Sequence, residues 1–420
     1  MLAGAGMIAV VALALTGCGR PGGGASLAGG GPSEAISDDP IEGTITVWAM
    51  GAEGEALPDF VADFEAENPG VTVDVTPIPW DGAHDRIANA IAGGQTPDIS
   101  MIGTTWVGEF AASGALDAVP EGLVEEADFF EGAWQTGVVN DTAYSVPWYV
   151  ETRVLYTNEQ LAEEAGVQPP ADWSEVLDFG EAMRGAGAEV GVYIPPGGVD
   201  LNLEFLPWVW EAGGDIMNDD GTEFTMDTEE WVTALEMYRE FSQRGIASGE
   251  AAIPGGELEP AFANGEVGSF FGAPYQLGVI QNDLGFTDFS LSLRPAEKSA
   301  TSFIGGSNWS VFEATDARDA SWRFVEWMSE PETQAAWFET INSLPAVQDA
   351  WPVAGIDSDP QMAVFGEQLQ DAKAPPAIPT WAQIASVLDT EIERVVKGVK
   401  SPERAVEDIQ RQAELIGTGL

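Results

Sequence analysis

The chain has 420 residues and carries 16 Lys or Arg against 69 Asp or Glu, which gives a net charge of −53 at neutral pH. So strong a negative charge argues against nucleic acid as a partner and against electrostatic binding to anionic lipid. The single cysteine excludes an intrachain disulfide and a metal site built from several thiolates, while the 45% of apolar residues is enough to form the cores of two or more lobes.

The first 42 residues have the composition of a leader and a linker. Residues 7–15 read MIAVVALAL, an apolar run of signal-peptide length that is too short to cross a membrane. Gly17 and Cys18 follow, and the stretch resembles a bacterial lipobox, although residues 1–17 contain no Lys or Arg. The resemblance implies a signal peptide over residues 1–17 and a lipid on Cys18. The alternative is a buried N-terminal element in which Cys18 is packed. Residues 18–42 are then a lipidated cysteine and a flexible tether, because residues 19–40 are rich in Gly, Ser and Pro.

Strands and helices alternate in the next sixty residues. A β-branched run predicts a strand over residues 44–50, Pro58 is expected to open a helix that ends at residues 68–70, and residues 71–78 predict a second strand. A helix over residues 84–91 and a strand over residues 97–102 follow. This order is typical of an α/β lobe with a largely parallel sheet, which binds ligands at the carboxyl ends of its strands. The loops at those ends are residues 49–55, 79–85 and 103–110.

The rest of the chain contains further α/β elements and no repeat of fixed period. Residues 144–156 are predicted to be extended and to lead into a new region, and residues 231–241 form a helix. Residues 300–311 read as strand and loop. Thr380 and Gln383 predict a capping box before an amphipathic helix, and Ser401 with Pro402 begins another helix.

Several stretches in a fixed order resemble a known family. They are residues 45–71, 93–103 (GGQTPDISMIG), 146–158 (VPWYVETRVLYTN), 169–183, 207–221 (PWVWEAGGDIMNDDG), 261–272 and 302–312 (SFIGGSNWSVF). Together they resemble the extracellular sugar-binding proteins of bacterial ABC importers, solute-binding protein family 1, which includes maltose-binding proteins. The resemblance covers about residues 43–420.

The family resemblance implies an α/β fold of the two-lobed periplasmic-binding-protein type II, with the ligand cleft between discontinuous lobes joined by hinge strands. The lobes are expected at residues 43–150 with 300–345, and at residues 151–299 with 346–420. The ligand would be captured by lobe closure.

The side-chain types that bind sugars identify candidate ligand-binding residues in the first lobe. Aromatic rings suit the C–H face of a sugar, and carboxylates, amides and Arg suit its hydroxyls. The 15 Trp residues are many for such a chain. The first-lobe candidates are Glu53, Trp80, Asp81, Trp106 and Glu109. Glu53 and Asp81 are either ligand contacts or solvated loop charges, and Trp106 is either a platform for the sugar or part of the core.

Three candidates alternate along the extended chain at the crossing between lobes. Tyr149, Glu151 and Arg153 point the same way in a strand. Arg153 either donates to ligand hydroxyls or pairs with Glu151.

The second-lobe candidates include two tryptophans. Trp208 and Trp210 share a face if their stretch is extended and diverge if it is helical. The resemblance places Tyr275 under the sugar and brings the backbone of a loop toward the ligand. That loop contains Gly305, Gly306, Ser307 and Asn308, and its alternative role is a tight turn with positive φ. Trp381, near the last helices, completes the set.

Other chemistries find little support in the sequence. His84 is the only histidine, and no GxSxG motif surrounds a serine. The stretch 218–221 resembles a calcium loop, but Ile216 stands where the first Asp should be, so a hairpin turn is the better interpretation. No metal and no cofactor are expected.

The sequence therefore predicts a binding protein rather than an enzyme. We expect a monomeric, lipid-anchored receptor at the extracellular face of the cytoplasmic membrane, which delivers an α-glucoside such as maltose, maltodextrin or trehalose to the permease of an ABC importer. The alternatives are a receptor for a β-linked oligosaccharide such as cellobiose and, from another class, a secreted glycosidase with two carboxylates in its cleft.

Overall fold

A computed structural model describes residues 33–37, 39–198, 200–218, 220–247 and 257–420. The predicted signal peptide, Cys18 and the first part of the predicted tether lie outside the described residues. Within the described part of the chain, no helix combines the length and the apolar character that crossing a membrane requires.

The described residues form twelve strands and seventeen α-helices. The strands are β1 Gly43–Met50, β2 Val71–Ile78, β3 Ile99–Gly103, β4 Val138–Val139, β5 Thr142–Ala143, β6 Val146–Thr152, β7 Val154–Asn158, β8 Ser269–Gly272, β9 Phe289–Ser292, β10 Ser302–Val311, β11 Leu344–Pro345 and β12 Ala372–Lys373. The helices are α1 Gly51–Phe60, α2 Ala62–Glu67, α3 Ala83–Gly93, α4 Val107–Ala112, α5 Glu131–Gln135, α6 Glu159–Ala165, α7 Trp173–Gly185, α8 Leu201–Glu211, α9 Glu229–Gln243, α10 Leu258–Ala263, α11 Pro274–Gly278, α12 Arg318–Met328, α13 Pro331–Ile341, α14 Ala350–Val353, α15 Met362–Leu369, α16 Trp381–Val396 and α17 Pro402–Ile416.

The larger sheet has the strand order β11-β6-β10-β3-β1-β2, and β12 pairs with β10. β1 lies parallel to both β2 and β3, with Val47 opposite Val75 on one side and Ile99 on the other. The three strands predicted for the first lobe and their parallel arrangement are therefore confirmed. β10 runs antiparallel to β3 and to β6, which brings later parts of the chain into the same sheet.

At one of its passages between the smaller and the larger sheet, the chain needs only a single residue. The smaller sheet consists of β8, β7 and β9, all antiparallel. β6 of the larger sheet ends at Thr152 and β7 of the smaller sheet begins at Val154, so the chain passes between the sheets at Arg153. The side chain of Arg153 therefore lies between the regions built on the larger and the smaller sheet.

Aromatic side chains dominate the cores on both sides of this junction. Beneath the larger sheet, the ring of Trp148 lies 4.2 Å from that of Trp309 and 4.9 Å from that of Trp337, measured between centroids. The second core forms among α7, α8, α9, α16 and α17, whose apolar faces pack together. The helices predicted over residues 231–241, after Thr380 and after Ser401 are confirmed as α9, α16 and α17.

Two local predictions are wrong. Pro58 lies inside α1 and does not open it. The helix begins directly after β1, where Gly54 approaches the strand so closely that an added Cβ would lie 2.3 Å from the carbonyl oxygen of Ala49. The predicted capping box before α16 is also absent, because the hydroxyl of Thr380 donates to the carbonyl of Gly417 at 2.7 Å.

The last part of the predicted tether lies against the folded body. Ser33 donates a hydrogen bond from Oγ to the carbonyl of Ala118 at 2.5 Å, and Arg318 of α12 donates to Oγ of Ser33 at 2.6 Å and to the carbonyl of Glu34 at 2.8 Å. Arg323 donates to the carbonyl of Ser37 at 2.8 Å. Residues 33–37, which we name the N-terminal strap, are thus held by α12 and by the loop before α5.

Candidate ligand-binding site

The carboxyl ends of β1 and β2 bring Trp80 over the start of α1. Gly51 has a φ of +58°, which turns the chain from β1 into the helix. A Cβ at this position would lie 2.5 Å from Nε1 of Trp80 and 3.2 Å from Oε2 of Glu53. The glycine therefore makes room for the indole ring beside the carboxylate of Glu53.

Trp80 and Trp106 form a partly exposed pair of rings, which we name the aromatic pair. Their centroids are 5.9 Å apart and their planes meet at 68°, and 41% of Trp80 is exposed. Trp106 is half-buried and rests over Gly103, where a Cβ would lie 3.3 Å from the ring. The loops after β2 and β3 thus present an apolar surface of the kind that sugar C–H groups contact.

His84 supports the aromatic pair from behind. Its ring lies 5.4 Å from that of Trp106 and is stacked 5.2 Å from that of Phe110. Nε2 of His84 is 2.9 Å from Oε2 of Glu109, which joins α3 to α4. Glu109, predicted to contact the ligand, is thus engaged by the only histidine of the chain, whereas Asp81 is exposed at the loop tip.

A group of Glu53, Tyr149 and Ser307 lies beside the aromatic pair. Oγ of Ser307 donates to the hydroxyl oxygen of Tyr149 at 3.3 Å, and Tyr149 and Glu53 interact electrostatically. Burial raises the pKa of Glu53, and the carboxylate of Glu151 adds to the rise. Burial also raises the pKa of Tyr149, and the charge of Glu53 contributes.

Gly306 of β10 makes room for the pairing with β6. Gly306 has a φ of +122° and a Cβ there would lie 2.1 Å from the carbonyl oxygen of Tyr149, so the two strands approach closely at this point. The positive φ occurs inside a strand and not in a turn. A Cβ on Gly305 would meet the ring of Phe303 at 2.6 Å. Asn308 is buried and donates to the hydroxyls of Thr136 and Ser145.

A second group lies across the sheet junction and lines a cavity of 360 Å³. We name it the Arg153 cavity. Nε of Arg153 is 3.2 Å from Oε1 of Glu204 on α8, and Nη1 is 3.7 Å from Oε1 of Glu151. Tyr275 is 59% exposed at the mouth of the cavity, and Tyr193 is half-buried in its wall. The ion-pair alternative for Arg153 is therefore observed.

Glu151 connects the two groups. It pairs with Arg153 on one side, and its charge acts on Glu53 and Tyr149 on the other. It also raises the pKa of Tyr275, after burial and Glu259. Glu151 thus lies between the group around Tyr149 and Arg153, at the point where the chain passes from one sheet to the other. In the described residues, no cluster of His, Cys, Asp and Glu could hold a metal ion.

Three of the predicted tryptophans lie in the core and not at this site. Trp208 and Trp210 belong to helix α8, so their stretch is not extended, and they are 1% and 2% exposed. Trp381 begins α16 and is 3% exposed. A tryptophan that packs between helices gives the same sequence pattern as one that faces a ligand, so the sequence alone does not distinguish the two roles.

Two residues of the site were missed. Glu204 is the only charged residue in the stretch 201–210, LNLEFLPWVW, and a carboxylate within so apolar a stretch is a signal that could have identified it. Tyr193 precedes two prolines in an irregular segment and reaches the cavity only through the tertiary fold, so no local pattern could have revealed it.

Comparison with known proteins places this geometry in a family. The family model of bacterial extracellular solute-binding proteins matches residues 49–335. The structure of the sugar-binding protein MalE of Xanthomonas citri is similar, with 29% identity, a TM-score of 0.81 and coverage of 89% of this chain and 97% of the other.

Two curated relatives extend over most of the chain. The diacetylchitobiose-binding protein DasA of Streptomyces coelicolor is 25% identical over 87% of this chain and 88% of its own length. The sn-glycerol-3-phosphate-binding periplasmic protein UgpB of Salmonella typhimurium is 23% identical over 87% of this chain and 90% of its own length. With two α/β sheets joined at Arg153 and a site that spans them, the chain belongs to the family of bacterial extracellular solute-binding proteins.

Proposed function

We propose that this protein is the sugar-binding receptor of an ABC importer and that it captures an α-glucoside, namely maltose, a maltodextrin or trehalose. The observation that carries the proposal is the position of Glu151 between two groups of sugar-compatible side chains. The first group is the aromatic pair with Glu53 and Tyr149, and the second is Arg153, Tyr193, Glu204 and Tyr275. The similarity to the sugar-binding protein MalE supports it.

The chemistry of the site suits a sugar. The face of Trp80 can lie against C–H groups, while carboxylates and the guanidinium can accept from and donate to hydroxyls. Because buried polar groups would be left unpaired by a ligand that lacks hydroxyls, such a site discriminates against apolar solutes.

Capture proceeds by closure of the two lobes. Ligand contacts from both sheets stabilise the closed form relative to the open one, and this difference in affinity shifts the population toward closure. Arg153 and Glu151 lie where the chain passes between the sheets, so they can contact a ligand held by either lobe. The closed form then delivers the sugar to the membrane permease.

The lipobox supports attachment at the extracellular face of the cytoplasmic membrane. A single acyl chain binds a bilayer only marginally, so stable attachment through Cys18 needs more than one chain. We expect the receptor to act as a monomer at this surface, held there by the lipid in spite of its negative charge.

A β-linked oligosaccharide is the second candidate ligand. The similarity to a diacetylchitobiose-binding protein over 87% of this chain favours it. Cellobiose and diacetylchitobiose share the flat shape that the aromatic pair would accept. The family consists of solute-binding proteins and not of enzymes, so turnover is not expected with either linkage.

Calorimetric titration of the purified protein with maltose, maltotriose, trehalose, cellobiose and diacetylchitobiose tests the proposal. We expect saturable binding of one or two α-glucosides, with the sugar recovered intact afterwards. Binding of β-linked sugars alone would replace the α-glucoside by the second candidate. Release of monosaccharides would contradict a receptor function.

A further inference from the structure

Arg153 is the only cationic side chain among the described residues that line the Arg153 cavity, and two carboxylates already hold it. Glu204 approaches Nε at 3.2 Å and Glu151 approaches Nη1 at 3.7 Å, on two sides of the guanidinium. Burial alone would lower the pKa of Arg153, and the charges of Glu204 and Glu151 more than offset it. The positive charge is thus compensated from within the protein.

The other feature able to attract an anion is also occupied. The N-terminus of α8 opens toward the cavity, and exposed backbone N–H groups at such a position commonly bind phosphate or carboxylate groups. Here Oδ1 of Asp389 accepts from the backbone N–H of Asn202 at 2.7 Å and from its side-chain amide at 2.8 Å. Oδ2 of Asp389 accepts from the backbone N–H of Asp200 at 3.2 Å. A carboxylate of the protein thus takes the place of an anionic ligand.

Acidic side chains line the same wall. Asp200 and Glu204 both face the cavity, and burial raises the pKa of Asp200, with a further contribution from Asp389. An anionic ligand would lie next to these carboxylates, beside a guanidinium whose charge Glu151 and Glu204 already offset, which is an unfavourable exchange. A neutral hydroxyl can instead donate to them.

We infer that the Glu151–Arg153–Glu204 arrangement makes the site select by charge, so that it binds uncharged sugars and rejects phosphorylated or carboxylated ones, with Glu204 as the specificity-determining residue. The inference rests on the proposed function in so far as the solute is a sugar. It separates this chain from a relative such as the sn-glycerol-3-phosphate-binding protein, whose name states an anionic solute.

Replacing Glu204 by Gln should relax the selection. Glu204→Gln keeps the volume of the side chain and removes the charge at 3.2 Å from Arg153, which leaves the guanidinium with Glu151 at 3.7 Å alone. Arg153 can then pair with a phosphate or carboxylate of the ligand, for which its planar fork of donors is suited. Glu151→Gln acts on the other side of the same guanidinium and should change the selection in the same direction.

Glu259→Gln is the matched control. Glu259 accepts from the side-chain amide of Gln276 at 2.8 Å and its charge acts on Tyr275 at the cavity mouth. Its substitution therefore removes one negative charge near the cavity without touching the ion pairs of Arg153. Any effect of overall charge would be the same in Glu204→Gln and Glu259→Gln, whereas an effect through Arg153 would occur only in the first.

The experiment titrates the wild type and the three variants with trehalose, trehalose 6-phosphate, maltose and sn-glycerol 3-phosphate at low and high NaCl. In the wild type we expect trehalose 6-phosphate to bind at least about a hundredfold more weakly than trehalose, and sn-glycerol 3-phosphate not to bind. In Glu204→Gln the ratio of the dissociation constants of trehalose 6-phosphate and trehalose should fall by about tenfold or more. In Glu259→Gln the same ratio should stay close to that of the wild type. If the weaker binding of the phosphorylated sugar arises from charge, high NaCl should reduce the difference in affinity. If it arises from size, NaCl should leave the difference unchanged.

The outcomes separate the inference from the proposed function. If the neutral sugars do not bind, sn-glycerol 3-phosphate still decides the inference: binding only to Glu204→Gln and Glu151→Gln supports it. Binding of either anion to the wild type as tightly as a neutral sugar would overturn it. So would Glu204→Gln and Glu151→Gln variants that melt like the wild type but bind the anions no better than Glu259→Gln does.

Discussion

The indole ring of Trp80 lies against the backbone of Gly51, so that a Cβ on the glycine would come within 2.5 Å of the ring nitrogen. The glycine and the ring come from different loops, the first from the end of β1 and the second from the loop after β2. Their contact holds the exposed ring of the aromatic pair beside Glu53. The arrangement of the proposed sugar platform therefore depends on a residue without a side chain.

Gly51→Ala should displace Trp80 and weaken ligand binding by about tenfold or more. The added methyl group occupies the place of the ring, and an alanine at φ +58° costs about 1–2 kcal/mol of stability as well. Calorimetric titration with the sugar that binds the wild type, together with chemical denaturation, measures both effects. Gly114→Ala is the control, since Gly114 has a φ of +74° and open space around it, so only the loss of stability should appear. Equal affinities of the two variants would contradict the role given to Gly51.

Substitution of Trp80 should weaken ligand binding, whereas substitution of Trp208 should lower the stability of the fold. Trp80→Ala removes a ring that is 41% exposed, so we expect a loss of affinity of about tenfold or more with little change in the free energy of unfolding. Trp208→Ala leaves a cavity at a position that is 1% exposed and should cost about 3–5 kcal/mol of stability. Denaturant titration and calorimetry on both variants test this contrast. A Trp208→Ala protein of normal stability would show that the ring is not part of the core.

Glu211 should make stability depend on pH. It is fully buried and its Oε1 lies 2.5 Å from Nε of Arg294, and burial raises its pKa to about 7 although Arg294 opposes the rise. Because the pKa of Glu211 is higher in the folded state than in the unfolded state, folding favours the protonated carboxyl group. The stability that this preference contributes is fully present below pH 4.5 and is lost as the pH rises to 7. Relative to Glu211→Gln, the free energy of unfolding of the wild type should therefore fall by about 3 kcal/mol between pH 4.5 and pH 7.

Urea denaturation of both proteins at a series of pH values measures that difference. Glu236→Gln, at an exposed position on α9, removes the same charge and corrects for the effect of net charge. A difference between wild type and Glu211→Gln that stays constant across the range would show that Glu211 keeps an ordinary pKa in the fold.

Arg318→Ala should release the N-terminal strap. The variant loses the donors to Ser33 and Glu34 and leaves the carboxylate of Asp117 without an ion pair that lies at 2.7 Å in the wild type. We expect a cost of about 1–3 kcal/mol and faster amide exchange at Glu121, whose N–H donates to the carbonyl of Ser33. Hydrogen exchange measures the second effect directly. Arg404→Ala, in an exposed pair with Glu407, should leave the exchange at Glu121 unchanged.

Local patterns predicted the elements of the fold well because their causes are local. The β-branched runs of β1 and β2 and the apolar spacing of α16 and α17 are properties of neighbouring residues. α8 shows the limit of this approach: alternate tryptophans at 208 and 210 fit a strand and a buried helix equally, and only packing decides between them. The start of α1 shows the same limit, since Pro58 is typical of the first turn of a helix but lies within α1.

The sequence predicted residues of the site where they lie in a strand or directly after one. Tyr149, Glu151 and Arg153 share one strand and its end, so their common direction followed from alternation. That Glu204 faces Arg153 depends on contacts across about fifty residues of sequence, and the burial of Trp381 depends on the packing of α16 against α8. Such relationships arise from tertiary structure and leave no mark on local composition.

The strap that Arg318 holds against the body also sets how far this receptor can move. With Ser33 fixed beside α12, 14 residues separate the body from Cys18, and even a fully extended chain of that length spans only about 50 Å. If Cys18 carries the lipid as proposed, each receptor searches a small volume above its own patch of membrane. A permease in the same membrane then meets the loaded receptor within a layer of about that thickness, and not throughout the surrounding solution.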